Sequence, residues 1–572
     1  MNEIIPSPVR QDVQARFQNG RAFNGPKGTT IEEFFNAASD QNIKQYHIVA
    51  SFCDGHLREL SHPLLADAKL IPVNTGEPDG ARIYRRSLSF LMIVAAVEML
   101  PGKVITVQHS MPFGGYYCEL ADNERLVDDD LNRLRQRMRE LVDADLPINK
   151  VIIPLDEALE IFRHHGDVEK AELFARRRKD YLTLYELNGV RDYFHGFMVP
   201  STGYLDLFEL VRYNDGFILQ FPRQHAPDFL QPFEDEPRLA RVFQDYNDWL
   251  SIVGVPSVTS LNSALEDGRI QEVMLVAEAF HEKQLTKIAY DIAARRQHIK
   301  LVMISGPSSS GKTTFSKRLA VQLLAQGIYP VTIAMDNYFV DRENTPRDEK
   351  GDYDFEALEA LDVALLREHL LRLLRGETIV QPRYNFLTGH RETGEELRIG
   401  SDHIILIEGI HGLNPKVVEG IPLEAMYRIF ISALTQLNLD RHNRVPTTDT
   451  RLLRRIVRDA AHRGYSAADT ISRWPSVRRG ERLHIFPHQN NADIFFNSAL
   501  VYELSVLKSL AQPLLLQVEP GHPARTEANR LLAFLQWFDP IPDEALHYIA
   551  SDSLLREFIG GSVLDDFELW WR

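Results

Sequence analysis

Cysteine is almost missing from this 572-residue chain: Cys53 and Cys118 are the only two, and they form no CxxC pair. That excludes a thiolate zinc site and a disulfide framework, and it fits a reducing compartment. Long apolar runs are missing too. No stretch approaches the roughly 18 uninterrupted apolar residues of a membrane-spanning helix, and the opening MNEIIPSPVRQDV lacks the basic-then-apolar pattern of a signal peptide. A cytoplasmic protein without membrane contact is the expectation. Nor is there an excess of positive charge: 64 Lys and Arg against 80 Asp and Glu give a net charge of −16 and a pI near 5.7. This balance argues against a general polyanion binder and leaves open only a local basic surface. The chain shows no internal repeat and no low-complexity segment.

What remains is ordinary globular composition, 44% hydrophobic and 25% charged, so most of the chain is expected to fold. Its length exceeds one core and predicts about three or four domains. Residues 10–75 read as a small α+β unit: Gly28-Thr29-Thr30 is a turn and N-cap signal ahead of the helical IEEFFNAAS, and YHIVASF is strand-like. Residues 80–240 read as a second α+β unit. There RSLSFLMIVAAVEML has the pattern of a buried helix stopped by Pro101-Gly102, Asp156 to about Arg178 that of a charged helical stretch, and Asn214-Asp215-Gly216 that of a hairpin turn. A helical connector is expected over 258–297. From 298 to 518, short strands (KLVMISG, VTIAMD, HIILIEG, YRIFISA) alternate with helices, which predicts an α/β domain with a mostly parallel sheet and helices on both faces. A helical tail, 519–572, ends on Trp570-Trp571.

Within the α/β segment, residues 306–313 (GPSSSGKT) fit GxxxxGK[ST], with a strand before them and the helix KTTFSKRLAVQLLAQG starting at Lys312. Glycines let the backbone N–H groups converge on phosphate oxygens, and the helix N-terminus adds its dipole. Gly306, Ser308, Ser309, Ser310, Gly311, Lys312, Thr313 and Thr314 are therefore the candidate nucleotide contacts. Lys312 reaches the β and γ phosphates, and the Thr313 hydroxyl is placed for Mg²⁺. Asp336, closing VTIAMD, stands at the carboxyl edge where open α/β sheets hold ligands, and a carboxylate there can accept the proton of an attacking hydroxyl. The base-reading NKxD of GTPases is not found, and HIILIEG ends in a single Glu408 rather than the Asp-Glu of oligomeric ATPases.

Six features occur in order: GPSSSGKTT; MDNYF at 335–339; YDFEALEALD at 353–362; QPRYNFLTGHR at 381–391; IEGIHGL at 407–413; and DTRLLRRIVRDAAHRG at 449–464. Over roughly residues 298–500 this set resembles the uridine kinase and phosphoribulokinase family of P-loop kinases. The resemblance implies ATP (or GTP) as phosphoryl donor, Mg²⁺, and a hydroxyl acceptor. Position by position, it implies Asp336 as general base and Glu356 as the carboxylate gripping ribose hydroxyls. Tyr384 would line the base pocket with His390 and Arg391 on the same loop, Glu408 would support Mg²⁺ together with Thr313, and Arg455, Arg458 and Arg463 would be lid arginines over the phosphates. The family's aspartate after the tyrosine is Asn385 here, and its pyrimidine-reading histidine falls on Gly389, with His390 one place later. An acceptor other than a pyrimidine nucleoside therefore stays open. Arg451 and Arg454 share the predicted helix, where arginines at helical spacing read as a solvated face.

Residues 10–75 resemble the TGS domain, and 80–240 the editing-type domain, of threonyl-tRNA synthetases. The carriers are GTTIEEF, VASFCDGHLREL, YRRSLSFL at 84–91, PGKVITVQHS with GGYYCEL, and HGFMVPSTGYL at 195–205. That editing domain uses HxxxH on a helix with a later Cys and His. The matching positions here are Arg86, Phe90, Phe194 and Met198, so neither zinc nor hydrolytic editing is expected. His164-His165 reads as solvated, and Pro487 interrupts the His484/His488 spacing. The leading expectation is a homo-oligomeric kinase acting on the 5′-hydroxyl of uridine or cytidine. Two alternatives stand beside it. One is a kinase of the same fold acting on a sugar phosphate or other hydroxyl metabolite. The other is an RNA- or tRNA-binding regulator that contacts nucleic acid through its N-terminal modules and uses the nucleotide as a switch.

Overall fold

The run LVMIS, apolar at nearly every position, requires burial on both faces. In the computed structural model, which describes residues 10–38, 47–121, 124–177, 179–349, 351–435 and 437–567, it forms the central strand of a five-stranded sheet. The order is Tyr329–Ala334, His403–Glu408, Leu301–Ser305, Met426–Ser432, Ile494–Asn497, and every pairing is parallel. Alternate side chains feed two cores. Met303, Ile333 and Ile407 face one, while Val302, Ile304, Leu406 and Ile429 face the other, as the two-residue period of a strand dictates. Register then builds the site. Glu408 is level with Ile304 on one side and Ala334 on the other. The chain therefore leaves three neighbouring strands at one carboxyl edge, carrying the phosphate loop, Asp336 and Glu408.

Helices cover both faces of this sheet, so the expected α/β class holds. The helix Lys312–Ala325 continues the phosphate loop. Val363–Leu374 starts at an Asp362 side chain that accepts from the Leu365 N–H at 3.0 Å, and Ala467–Gly480 starts at a Ser466/Asp469 capping box. Thr447–His462 carries the arginines. Over the expected helical connector, 258–297, the chain forms Val258–Glu266 and Ile270–Ala294, and a further helix, Pro237–Val253, precedes them.

The chain divides into two compact units, the second holding the parallel sheet. The first takes residues up to Asp235 together with Ser257–Thr259 and Asn438–Arg444. Its five-stranded sheet runs Ala22–Pro26, Asp12–Phe17, Ala68–Asn74, Ile48–Cys53, His56–Glu59. The helix Ile31–Ala38 begins at Thr30, whose N–H donates to Glu33 at 2.7 Å while its hydroxyl accepts from the Glu33 N–H at 3.3 Å. A three-stranded and a four-stranded sheet follow, and the latter includes the hairpin Glu209–Tyr213 and Gly216–Gln220 around Asn214, which adopts φ +47°. The buried helix Pro78–Met99 lies in the same core, which extends from Val13 to Phe221. Among the described residues, no helix is long and apolar enough to cross a membrane. Trp570-Trp571 lies outside the described residues.

Candidate active site

The phosphate loop is tight because two glycines make it so. A β-carbon on Gly306 would stand 2.1 Å from the Ile431 carbonyl oxygen, and Gly311 takes φ +88° where the helix begins. The rest of the loop is braced by charge. The Ser308 N–H donates to Glu481 at 3.2 Å, its carbonyl accepts from Arg451 at 3.1 Å and its hydroxyl from Arg455 at 2.8 Å. The Ser309 carbonyl accepts from Arg454 at 3.4 Å. The Lys312 ammonium donates to the carbonyls of Gly306 and Pro307 at 3.0 and 3.2 Å.

Three carboxyl groups gather beyond the loop. Burial pushes Glu408 up to about 7, with Asp336 adding to the rise and Lys312 opposing it; its carboxylate accepts from the Thr313 hydroxyl at 3.3 Å. Asp336 sits in the turn Met335–Tyr338 and reaches solvent. The protein packed around it still raises its carboxyl above the usual range, against the pull of Lys312, Arg463 and Arg458. Burial also pushes Glu356 up to about 7, with Glu481 adding to it and Arg455 and Lys312 pulling the other way. Its Oε2 is buried without a hydrogen-bond partner, a costly condition that a ligand hydroxyl would relieve. Room for this side chain comes from Gly480, where a β-carbon would stand 2.2 Å from the Glu356 Cβ.

Arg455, Arg458 and Arg463 converge on one buried acid, Asp459, at 3.2, 2.8 and 3.6 Å. Arg451 and Arg454 correct the solvated-face reading. Both are fully buried, Arg451 bound to Glu481 at 2.9 Å and Arg454 to Glu503 at 2.7 Å. A buried guanidinium must be paired, and these two hold the loop's carbonyls with the donors left over. Tyr384 is buried in the strand Ile379–Asn385 with Phe339 and Phe386 at 5.5 and 5.1 Å between ring centroids. Its hydroxyl donates to the Gly389 carbonyl at 3.3 Å, and Gly389, at φ +78°, turns the hairpin into His390–Leu397. His390 is exposed and faces Asp341 at 3.6 Å, and Arg391 binds Asp362 at 2.9 Å. The structure thus gathers the phosphate loop, Asp336, Glu356, Glu408 and the three outer arginines, while His390 and Arg391 pair with Asp341 and Asp362. Sequence reasoning missed Glu481 and Glu503, the acids that fix Arg451 and Arg454.

The Thr313 hydroxyl and the Glu408 carboxylate are hard oxygen donors of the kind Mg²⁺ takes. Among the described residues, there is no group of three or more His, Cys, Asp or Glu that could hold a metal ion.

Fold and site together place a glycine-bounded phosphate loop at the carboxyl edge of a parallel sheet, with acids and arginines around it. Residues 301–505 match the model of the Phosphoribulokinase / Uridine kinase family. The N-terminal region is similar to threonine–tRNA ligases. That of Hahella chejuensis is 32% identical over 165 residues, 29% of this chain and 26% of the relative; that of Burkholderia multivorans is 34% identical over 160 residues, 28% and 25%. The chain thus spans about a quarter of the length of these relatives. Among solved structures, one described as a candidate fructose transport system kinase from Silicibacter sp. TM1040 is 20% identical, with a TM-score of 0.27, covering 37% of this chain and 98% of that one. One described as a possible uridine kinase from Bacillus stearothermophilus is 19% identical, with a TM-score of 0.25, covering 35% and 89%.

Proposed function

We propose that the protein is an ATP- and Mg²⁺-dependent kinase that phosphorylates the 5′-hydroxyl of a pyrimidine nucleoside, uridine or cytidine. The observation that carries this reading is the buried, unpartnered Glu356 Oε2 in the same electrostatic field as Lys312 and Asp336. It is a carboxylate suited to grip a vicinal diol beside a base and a phosphate loop. In the proposed reaction Asp336 takes the proton of the acceptor hydroxyl. The hydroxyl oxygen bonds to the γ-phosphorus as the bond to the β,γ-bridging oxygen breaks, and the nucleoside diphosphate leaves with that electron pair. Lys312, Arg455, Arg458 and Arg463 offset the charge on the transferring group, and the phosphate loop holds the donor in line. Mg²⁺, held by Thr313 and Glu408 when bound, supplies charge neutralisation on the phosphate oxygens. The test is a panel of nucleosides with ATP and with GTP, reading 5′-phosphate formation. ATP binding that Lys312→Ala abolishes, with no nucleoside phosphorylated, would sink the reading.

One observation favours a second acceptor class. Burial and then His484, whose ring lies 6.1 Å away, lower the His411 pKa to about 4, so its neutral ring can donate an N–H, and His488 and the Lys416 ammonium belong to the same group of nitrogen donors. His411 lies against the backbone of Glu356 and Ala357, so an acceptor carrying its own phosphate fits there. Thermal stabilisation by sugar phosphates but not by uridine or cytidine would select it. The same proposal takes 10–75 and 80–240 as TGS-like and editing-like modules without hydrolytic chemistry, 258–297 as connector, 298–518 as kinase and 519–572 as tail. It places the protein in the cytoplasm as a homo-oligomer, which light scattering of the purified chain checks.

A further inference from the structure

The family match ends at residue 505, yet the chain beyond it returns to the phosphate loop. After the helices Glu503–Leu516 and Arg525–Leu535 come the turn Asp543–Tyr548 and the short helix Arg556–Ile559. Leu554 lies 3.5 Å from the place a β-carbon on Gly311 would occupy. The Phe558 ring stands 4.9 Å from the guanidinium carbon of Arg454, the same arginine that holds the Ser309 carbonyl. Lys317, in the second turn of the P-loop helix, donates to the carbonyls of Leu564 and Asp565, and Arg318 faces Asp552 at 3.6 Å. In the middle of these contacts is an acid: Glu557 accepts from the Thr314 backbone N–H at 3.2 Å.

That N–H belongs to the nucleotide's own set of donors. The first turn of a helix leaves its N–H groups without intrahelical partners. In a loop of this pattern they cradle the α- and β-phosphates, and the helix dipole favours whichever anion arrives. A carboxylate and a phosphate oxygen cannot both take the Thr314 N–H at full strength, and Glu557 adds negative charge to the field already acting on Glu408. We propose that the segment Ser551–Asp565 is a built-in competitor of the donor nucleotide, with Glu557 standing on Thr314 where a phosphate oxygen binds. The triphosphate gains its full set of loop contacts only when this segment lets go, and its apparent affinity is reduced by the fraction of molecules in which the segment is docked. This rests on the P-loop reading alone and not on the identity of the acceptor.

The test uses the full-length protein and reads ATP·Mg²⁺ binding by calorimetry with no acceptor present, so that it stands apart from the acceptor panel. Glu557→Gln keeps the shape and removes the charge; Glu557→Ala removes both. Each is expected to tighten ATP binding by about three- to tenfold. In the unaltered protein, ATP is expected to speed backbone hydrogen exchange across 551–565. Unchanged or weaker ATP affinity in Glu557→Gln, or protection of the segment by ATP, would overturn the proposal and make Glu557 a brace or part of the donor site. Should Glu557→Ala fail to fold, Glu557→Gln and the exchange experiment decide. ATP binding absent from every form would overturn the P-loop reading along with it.

Discussion

The carboxyl edge of the parallel sheet and the core around Phe90 each gather side chains from distant stretches of chain, but they finish differently. At the sheet edge, polar groups are left wanting: Glu356 Oε2 is buried without a partner and three carboxyl groups stand above their usual pKa range. Around Phe90, the four positions matched to a metal-dependent editing site do come together, and they close the space. Phe90 packs on Phe194 at 5.3 Å between ring centroids, Met198 is buried, and Arg86 spends a donor on the Phe197 carbonyl at 2.5 Å. Convergence alone does not make a site. What separates the two regions is whether polar atoms are kept unsatisfied for a ligand or are consumed by the fold.

That contrast breaks most visibly at Asp336. Asp336→Asn should lower kcat about 10²- to 10⁴-fold, the range for a positioned general base, while calorimetric ATP affinity stays close to that of the unaltered protein. An equal loss of ATP affinity would mean that Asp336 holds the nucleotide. The filled region should answer in stability instead. Phe90→Ala should cost about 3–5 kcal/mol in denaturant unfolding and leave the ATP affinity of the folded fraction unchanged; a cost below about 1 kcal/mol would mean that this core is not closed. Glu356→Gln lies between the two. It should raise the acceptor KM about tenfold or more, as expected for a hydrogen bond to a charged group, with little change in ATP affinity.

The sheet edge was legible where its chemistry is local in sequence. The phosphate loop, Asp336 and Glu408 each close an apolar strand, and the parallel register that brings them level follows from the strand–helix alternation. The arginine helix was half legible. Arg455, Arg458 and Arg463 surround Asp459 at spacings visible in the sequence, so one acid amid arginines could have flagged that group. Arg451 and Arg454 could not be told from a solvated face, because their partners Glu481 and Glu503 lie 30 and 49 residues downstream. Glu557 is harder still, 243 residues from the N–H it takes. Pairings of that range are fixed by packing, and no periodicity carries them.

The smallest expected effect is a pH dependence confined to the unsatisfied region. Burial holds Glu356 and Glu408 at about 7, above the ordinary glutamate value of about 4.3. Between those values the folded protein keeps protons that the unfolded chain has released. These two groups therefore contribute their full stability below the ordinary range and lose it as pH rises through about 7. Activity should run the opposite way, since Glu408 can support Mg²⁺, and Glu356 grip hydroxyls, only once charged: kcat/KM should climb with pH and level off above about 7. Glu356→Gln removes one of the two titrations. The stability of the unaltered protein relative to this variant should accordingly fall between about pH 5 and about pH 8, while Phe90→Ala, acting on a core that contains neither of these two carboxyl groups, should shift stability by about the same amount at both. A relative stability of Glu356 over Gln that grows with pH would mean that the Glu356 carboxylate is already satisfied by the fold, and the distinction between the two regions would be lost.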